Sequence, residues 1–121
     1  MLNYNIKGTG LEISDQIREY VEKNLAHVEK FLQSEPSTHI DVEVKYLPEG
    51  RSGKYYAEFT VSAQGSVYRA EHWGSVLHEA LDLAREELMA ELRKAKQKRV
   101  QGLRRSAHRV KEYLRGWRSK L

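Results

Sequence analysis

The chain has 121 residues, 40% hydrophobic and 31% charged, with no cysteine and a formal net charge of +4. That is enough for one small domain with an appendage, and it excludes disulfides, thiol catalysis and cysteine-bound zinc. Residues 93–121 hold twelve Lys/Arg and a single acid, Glu112, whereas residues 1–92 hold nine Lys/Arg against sixteen Asp/Glu.

Leu2, Tyr4 and Ile6 alternate with Asn3, Asn5 and Lys7, which predicts a half-buried strand ended by Gly8-Thr9-Gly10. Ser14 is placed to cap a helix running to about Gln33, with Asp15 in its first turn. Ile17, Val21, Leu25, Val28 and Leu32 recur at helical spacing, so that face must be buried. Ser34 to Ser37 breaks the helix. His39 to Tyr46 alternates again, with Ile40, Val42, Val44 and Tyr46 on one side and Asp41, Glu43 and Lys45 on the other. Pro48 to Gly53 is a turn-rich connection. A third strand carries Tyr55, Ala57, Phe59, Val61 and Ala63 inward, and Gln64-Gly65 turns into a fourth, Ser66 to about Glu71. Gly74-Ser75 opens a second helix with Leu77, Leu81, Ala84, Leu88 and Leu92 as its buried stripe.

The order is β-α-β-β-β-α. Three consecutive strands predict an antiparallel meander, and two amphipathic helices can cover one face of it. The reading is therefore an α+β two-layer sandwich, a four-stranded sheet with both helices on one face, followed by a basic C-terminal helix. The bare sheet face should carry Asp41, Glu43, Glu58 and either Arg69 and Glu71 or their neighbours, a mostly acidic surface. After Leu92 the apolar stripe slips, and a new spacing starts at Val100 and continues through Leu103, Ala107, Val110, Leu114, Trp117 and Leu121. This predicts a hinge near Val100–Gly102, a separate helix ending near Gly116, and a division into a domain over 1–99 and an extension over 100–121.

Arg93, Lys94, Lys96, Lys98 and Arg99 fall within two helical turns, and Arg104, Arg105, Arg109, Lys111, Arg115, Arg118 and Lys120 continue the same sign. So many like charges together are unfavourable unless a polyanion neutralises them, and the planar fork of Arg suits phosphate. Tyr113 and Trp117 lie among these cations; stacking on bases is one use of them, and Trp117 on the apolar stripe fits a core, dimer or membrane contact better. No HExxH motif or enzymatic pair of carboxylates occurs, and His72 and His78 read as structural, so neither an enzyme nor a metal or cofactor site is expected. Gly8 and Gly10 do not sit in a phosphate-binding βαβ turn. No apolar run nears the roughly 20 residues of a membrane-spanning helix, and the N-terminal stretch has no secretory-signal pattern, which makes the cytoplasm the expected compartment.

Several motifs resemble the ribosome hibernation-promoting factor family, also called ribosome-associated translation inhibitors. Asn5-Ile6-Lys7-Gly8, then Leu11-Glu12-Ile13-Ser14 and Ile17-Arg18-Glu19-Tyr20-Val21, are similar to the family's opening strand and first-helix start. Val28-Glu29-Lys30-Phe31 is similar to the segment that follows. Arg69-Ala70-Glu71, Gly74, Ala80-Leu81-Asp82, Leu88 and Leu92-Arg93-Lys94 with Lys96 and Lys98 track the family's second-helix signature without a gap. The resemblance covers about residues 2–99. It implies a fold like that of double-stranded-RNA-binding domains, and a partner, the small ribosomal subunit, whose messenger and transfer RNA channel the protein occupies. By position it implies Arg18, Lys23, Lys30, Arg93, Lys94, Lys96 and Lys98 as contacts to rRNA phosphates. The charge run adds Arg99, Arg104 and Arg105. His27 stands where a Lys is usual, Val76-Leu77-His78 where the family has Asp-Met-Tyr, and Glu87 and Ala90 at two positions usually basic. No counterpart of the long form's separate dimerisation domain is expected, so the resemblance is read as one to the short form, with the basic extension expected to supply affinity the second helix lacks. The competing readings are a general RNA-binding module, and an interaction protein whose tail self-associates or lies on anionic membrane; no small-molecule substrate is expected.

Overall fold

The structure is a computed structural model. It describes residues 3–32, 37–48, 54–63 and 65–102, and the helical backbone of 103–119. The elements are β1 (Asn3–Thr9), α1 (Asp15–Leu32), β2 (His39–Tyr46), β3 (Tyr55–Ala63), β4 (Ser66–Gly74) and α2 (Leu77–Ser119). Leu2, Gln33, Ser34 to Pro36, Glu49 to Gly53 and Gln64 lie outside the described residues, as do the side chains beyond Gly102.

The strands form one sheet in the order β1-β2-β3-β4. β1 and β2 are parallel, as the helical crossover through α1 allows, and β2, β3 and β4 form the antiparallel meander the sequence predicts. Alternation sets the two faces. Ile40, Val42, Val44, Ala57, Phe59, Val61, Ala63 and Ala70 point to one side and are buried, together with Val21, Leu25 and Val28 of α1 and Ala80, Leu81, Ala84 and Leu88 of α2. Leu92 is buried as well. The opposite face keeps Asp41, Arg69 and Glu71 exposed, with Glu43 and Glu58 half-buried. The helices thus cover one face, and the α+β two-layer reading holds.

Local chemistry sets the boundaries. The Ile17 N–H donates to Ser14 Oγ at 3.2 Å, so Ser14 caps α1 as its residue type predicts. β4 runs three residues beyond Glu71, because Tyr55 and Tyr56 of β3 pair with Gly74 and Trp73. α2 accordingly begins at Leu77 rather than at Gly74-Ser75, with Ser75 Oγ donating to Glu79 Oε2 at 3.2 Å across its first turn.

The larger difference lies further along. A hinge near Val100–Gly102 and a second helix do not occur, since α2 passes through these residues to Ser119. Gly102 costs a helix only about 1 kcal/mol relative to Ala, and its neighbours Gln101, Leu103, Arg104 and Arg105 are all good helix formers. A shift in the apolar stripe changes which side is apolar without interrupting the backbone. By internal contacts the chain divides into two units, Met1–Ala90 and Glu91–Leu121.

Candidate nucleic-acid interface

α1 presents a stripe of donors to solvent. Lys23, His27 and Lys30 are exposed at spacings of four and three, so they line one side of the helix away from Val21, Leu25 and Val28. Arg18 is also exposed, but five residues before Lys23 it lies about 140° around the axis at 100° per residue. It belongs to the flank facing β1, where Glu22 accepts from the Tyr4 hydroxyl at 2.5 Å. That carboxylate raises the pKa of Tyr4, with burial adding to the effect and Arg18 opposing it. The structure therefore brings Lys23 and Lys30 together with His27 and sets Arg18 apart.

On the second helix Arg93, Lys94, Lys96, Lys98 and Arg99 are all exposed. At 100° per residue they surround the axis rather than line one face. Lys94 approaches Glu91 at 3.8 Å, both side chains more than half exposed, a contact of little energetic weight. The side chains of Arg104 and Arg105 lie outside the described residues. Within Met1–Ala90 the helices are not basic: α1 has four acids against Arg18, Lys23 and Lys30, and α2 up to Ala90 has Glu79, Asp82, Glu86 and Glu87 against Arg85. The excess of positive charge is thus concentrated in the second unit.

Sequence reasoning missed a cluster joining the two helices. The Tyr20 hydroxyl donates to both carboxylate oxygens of Asp82, each at 2.8 Å, and its ring lies 4.0 Å from that of His78. Burial and then the Asp82 hydrogen bond push the Tyr20 pKa up, so the hydroxyl stays a donor. His78 and Asp82 are four residues apart on one face, the available signal, but nothing in the spacing named Tyr20 as the partner on α1.

The bare sheet face carries the carboxylates Asp41, Glu43, Glu58 and Glu71 beside Lys7, Lys45 and Arg69. Glu43, Glu58 and Glu71 stand in one transverse row across β2, β3 and β4. Tyr56, buried beneath them, donates to Glu58 Oε2 at 2.6 Å and also to Glu71. Arg69 Nε binds Glu58 Oε1 at 2.9 Å. Burial raises the Glu58 pKa, but the Tyr56 and Arg69 hydrogen bonds outweigh it and hold the carboxyl below its ordinary value. A shallow depression of about 170 Å³ on this face, lined in part by Asn5, Lys7, Asp41 and Glu58, is smaller than the roughly 300 Å³ of the smallest usual ligand pockets. Among the described residues no group of His, Asp and Glu is arranged to hold a metal, and no helix is long and apolar enough to cross a membrane.

The β-α-β-β-β-α order with a cationic helical end defines an α+β two-layer domain, and sequence comparison places it in a family. The family described as "Sigma 54 modulation protein / S30EA ribosomal protein" matches residues 4–100, and the chain belongs to it. A ribosome hibernation promotion factor of Picosynechococcus is 33% identical over 94 residues, 77% of this chain and 48% of that protein. One of Lactococcus lactis is 29% identical over 96 residues, 79% of this chain and 50% of that protein. The chain therefore spans about half the length of these curated relatives. The N-terminal domain of Thermus thermophilus Protein Y superposes with a TM-score of 0.66 at 29% identity, over 77% of this chain and 98% of that one. A ribosomal subunit interface protein from Coxiella burnetii shares the fold, with a TM-score of 0.63 at 22% identity over 79% and 99% of the two chains.

Proposed function

We propose that this protein silences ribosomes by binding small-subunit rRNA in the channel for messenger and transfer RNA, and so excluding both. The observation that carries this reading is the exposed cationic segment Arg93, Lys94, Lys96, Lys98 and Arg99 on a member of a ribosome-associated family. Lys23 and Lys30 with His27 on α1 form a secondary contact, Arg18 a flanking one, and Arg104 and Arg105 extend the grip along α2. Such contacts read the shape and charge of a folded RNA and carry no base specificity. The mechanism is occlusion, without a chemical step, in the compartment where ribosomes work, the cytoplasm.

Co-sedimentation of the purified chain with small subunits in a sucrose gradient at low salt tests the partner. A filter-binding competition with messenger or initiator tRNA then tests the site. Displacement of the chain by either RNA supports occlusion, and simultaneous binding of all components overturns it.

A further inference from the structure

β4 is an edge strand nine residues long, paired with β3 over its whole length and with no strand on its other side among the described residues. Edge strands are commonly kept from pairing with another chain by a proline, a β-bulge or charged side chains, lysine above all. β4 has no proline, and its register with β3 runs without a bulge from Ser66 to Gly74. Its exposed row instead reads Val67, Arg69, Glu71, Trp73.

That row is complementary to itself. If two copies of β4 pair antiparallel about a two-fold axis at Ala70, Arg69 of each copy faces Glu71 of the other. Val67 then faces Trp73, and on the inner side Tyr68 faces His72. Every charged position meets its opposite, and the two exposed apolar residues of the strand, Val67 at 68% and Trp73 at 37% exposure, cover one another. A two-fold interface must be self-complementary in this way. The other edge offers no such match. Pairing of two β1 strands about Ile6 sets Lys7 against Asn5 and Tyr4 against Gly8, with no opposite charge.

We infer that β4 is a homodimerisation edge, joining two copies of this chain into one continuous eight-stranded sheet. The ladder adds about eight to ten backbone hydrogen bonds along nine residues of each strand. Cross-strand ion pairs and aromatic–β-branched pairs then select the register.

Sedimentation velocity of the full chain from micromolar to millimolar concentration is the test, with three variants. Arg69→Glu alone and Glu71→Arg alone each set like charges opposite one another at both pairs, and each should weaken the dimer about tenfold or more. Mixing these two variants sets a carboxylate against a guanidinium at both positions, and should restore association as a heterodimer. Val67→Lys, which leaves every ion pair in the fold intact, should also weaken the dimer and keeps the test valid should Arg69→Glu, deprived of its Glu58 contact, misfold. A wild-type chain that stays monomeric throughout overturns the inference. So does a dimer indifferent to Val67→Lys or to both charge reversals, which would lie on another surface such as the C-terminal helix. Failure of the mixed variants to associate overturns it equally.

Discussion

Tyr56 shows how one hydroxyl makes an acidic surface tenable. Glu58 and Glu71 face each other across β3 and β4, and like charges so placed destabilise a sheet. The Tyr56 hydroxyl donates to both, and burial together with the two carboxylates pushes its pKa far above the ordinary tyrosine value. Because Glu58 is held below its ordinary value, the folded chain takes up that proton at lower pH than the unfolded chain, whose carboxyl titrates near about 4.3. The stability from Glu58 is therefore complete above that pH and is lost as pH falls through the lower folded value. Tyr56→Phe should cost about 1–3 kcal/mol near neutral pH, with the gap narrowing below about pH 4. Urea titrations across that range check this, and a gap independent of pH would refute the electrostatic account. Gly10 supplies a steric case. Its φ is +74°, and an added Cβ would stand 2.5 Å from the Tyr46 carbonyl oxygen. Gly10→Ala should therefore cost about 2 kcal/mol or more, read as a lowered melting temperature, since left-handed strain adds to a clash with backbone.

Elements were legible where one period of apolar residues sufficed. Val21, Leu25 and Val28 announced the buried side of α1, and the alternation from Ile40 to Val44 and from Ala57 to Ala63 announced strands whose inner residues are indeed buried. The end of β4 was less visible, because Trp73 and Gly74 are fixed by pairing with Tyr56 and Tyr55, an interaction without local signature. The continuity of α2 is hidden in the sequence for a related reason: a change of apolar face near Val100 resembles a break in periodicity. Helix propensity decides the matter, and it can be tested within the second unit. Gly102→Ala should raise far-ultraviolet helicity and stabilise the helix by about 1 kcal/mol, an added Cβ meeting nothing within 4 Å. Gly102→Pro should cost about 3 kcal/mol locally and lower helicity. A flexible joint at Val100–Gly102 would make the proline variant indistinguishable from the parent, contrary to α2 as observed.

At the scale of the whole molecule the separation of charge matters more than any single contact. The five exposed cations from Arg93 to Arg99 were readable from composition alone, because a charge run needs no partner to be seen. The stripe of Lys23, His27 and Lys30 and the separation of Arg18 became visible once burial fixed the orientation of α1. Each phosphate neutralised contributes about 0.7–0.9 to the slope of log affinity against log salt. If the five cations all engage rRNA, replacing them with glutamine should flatten the slope of small-subunit binding by about four. Deleting residues 100–121, which removes seven more cations, should flatten it again and lower affinity at physiological salt. Asp41→Asn with Glu43→Gln on the bare sheet face is the control. If that face turns away from RNA, its slope should match the parent, and a gain in affinity on removing these acids would bring the sheet into the interface. A slope unchanged by the five-glutamine variant would remove the start of the cationic segment from the contact and leave the remainder of α2 and the α1 stripe to account for binding.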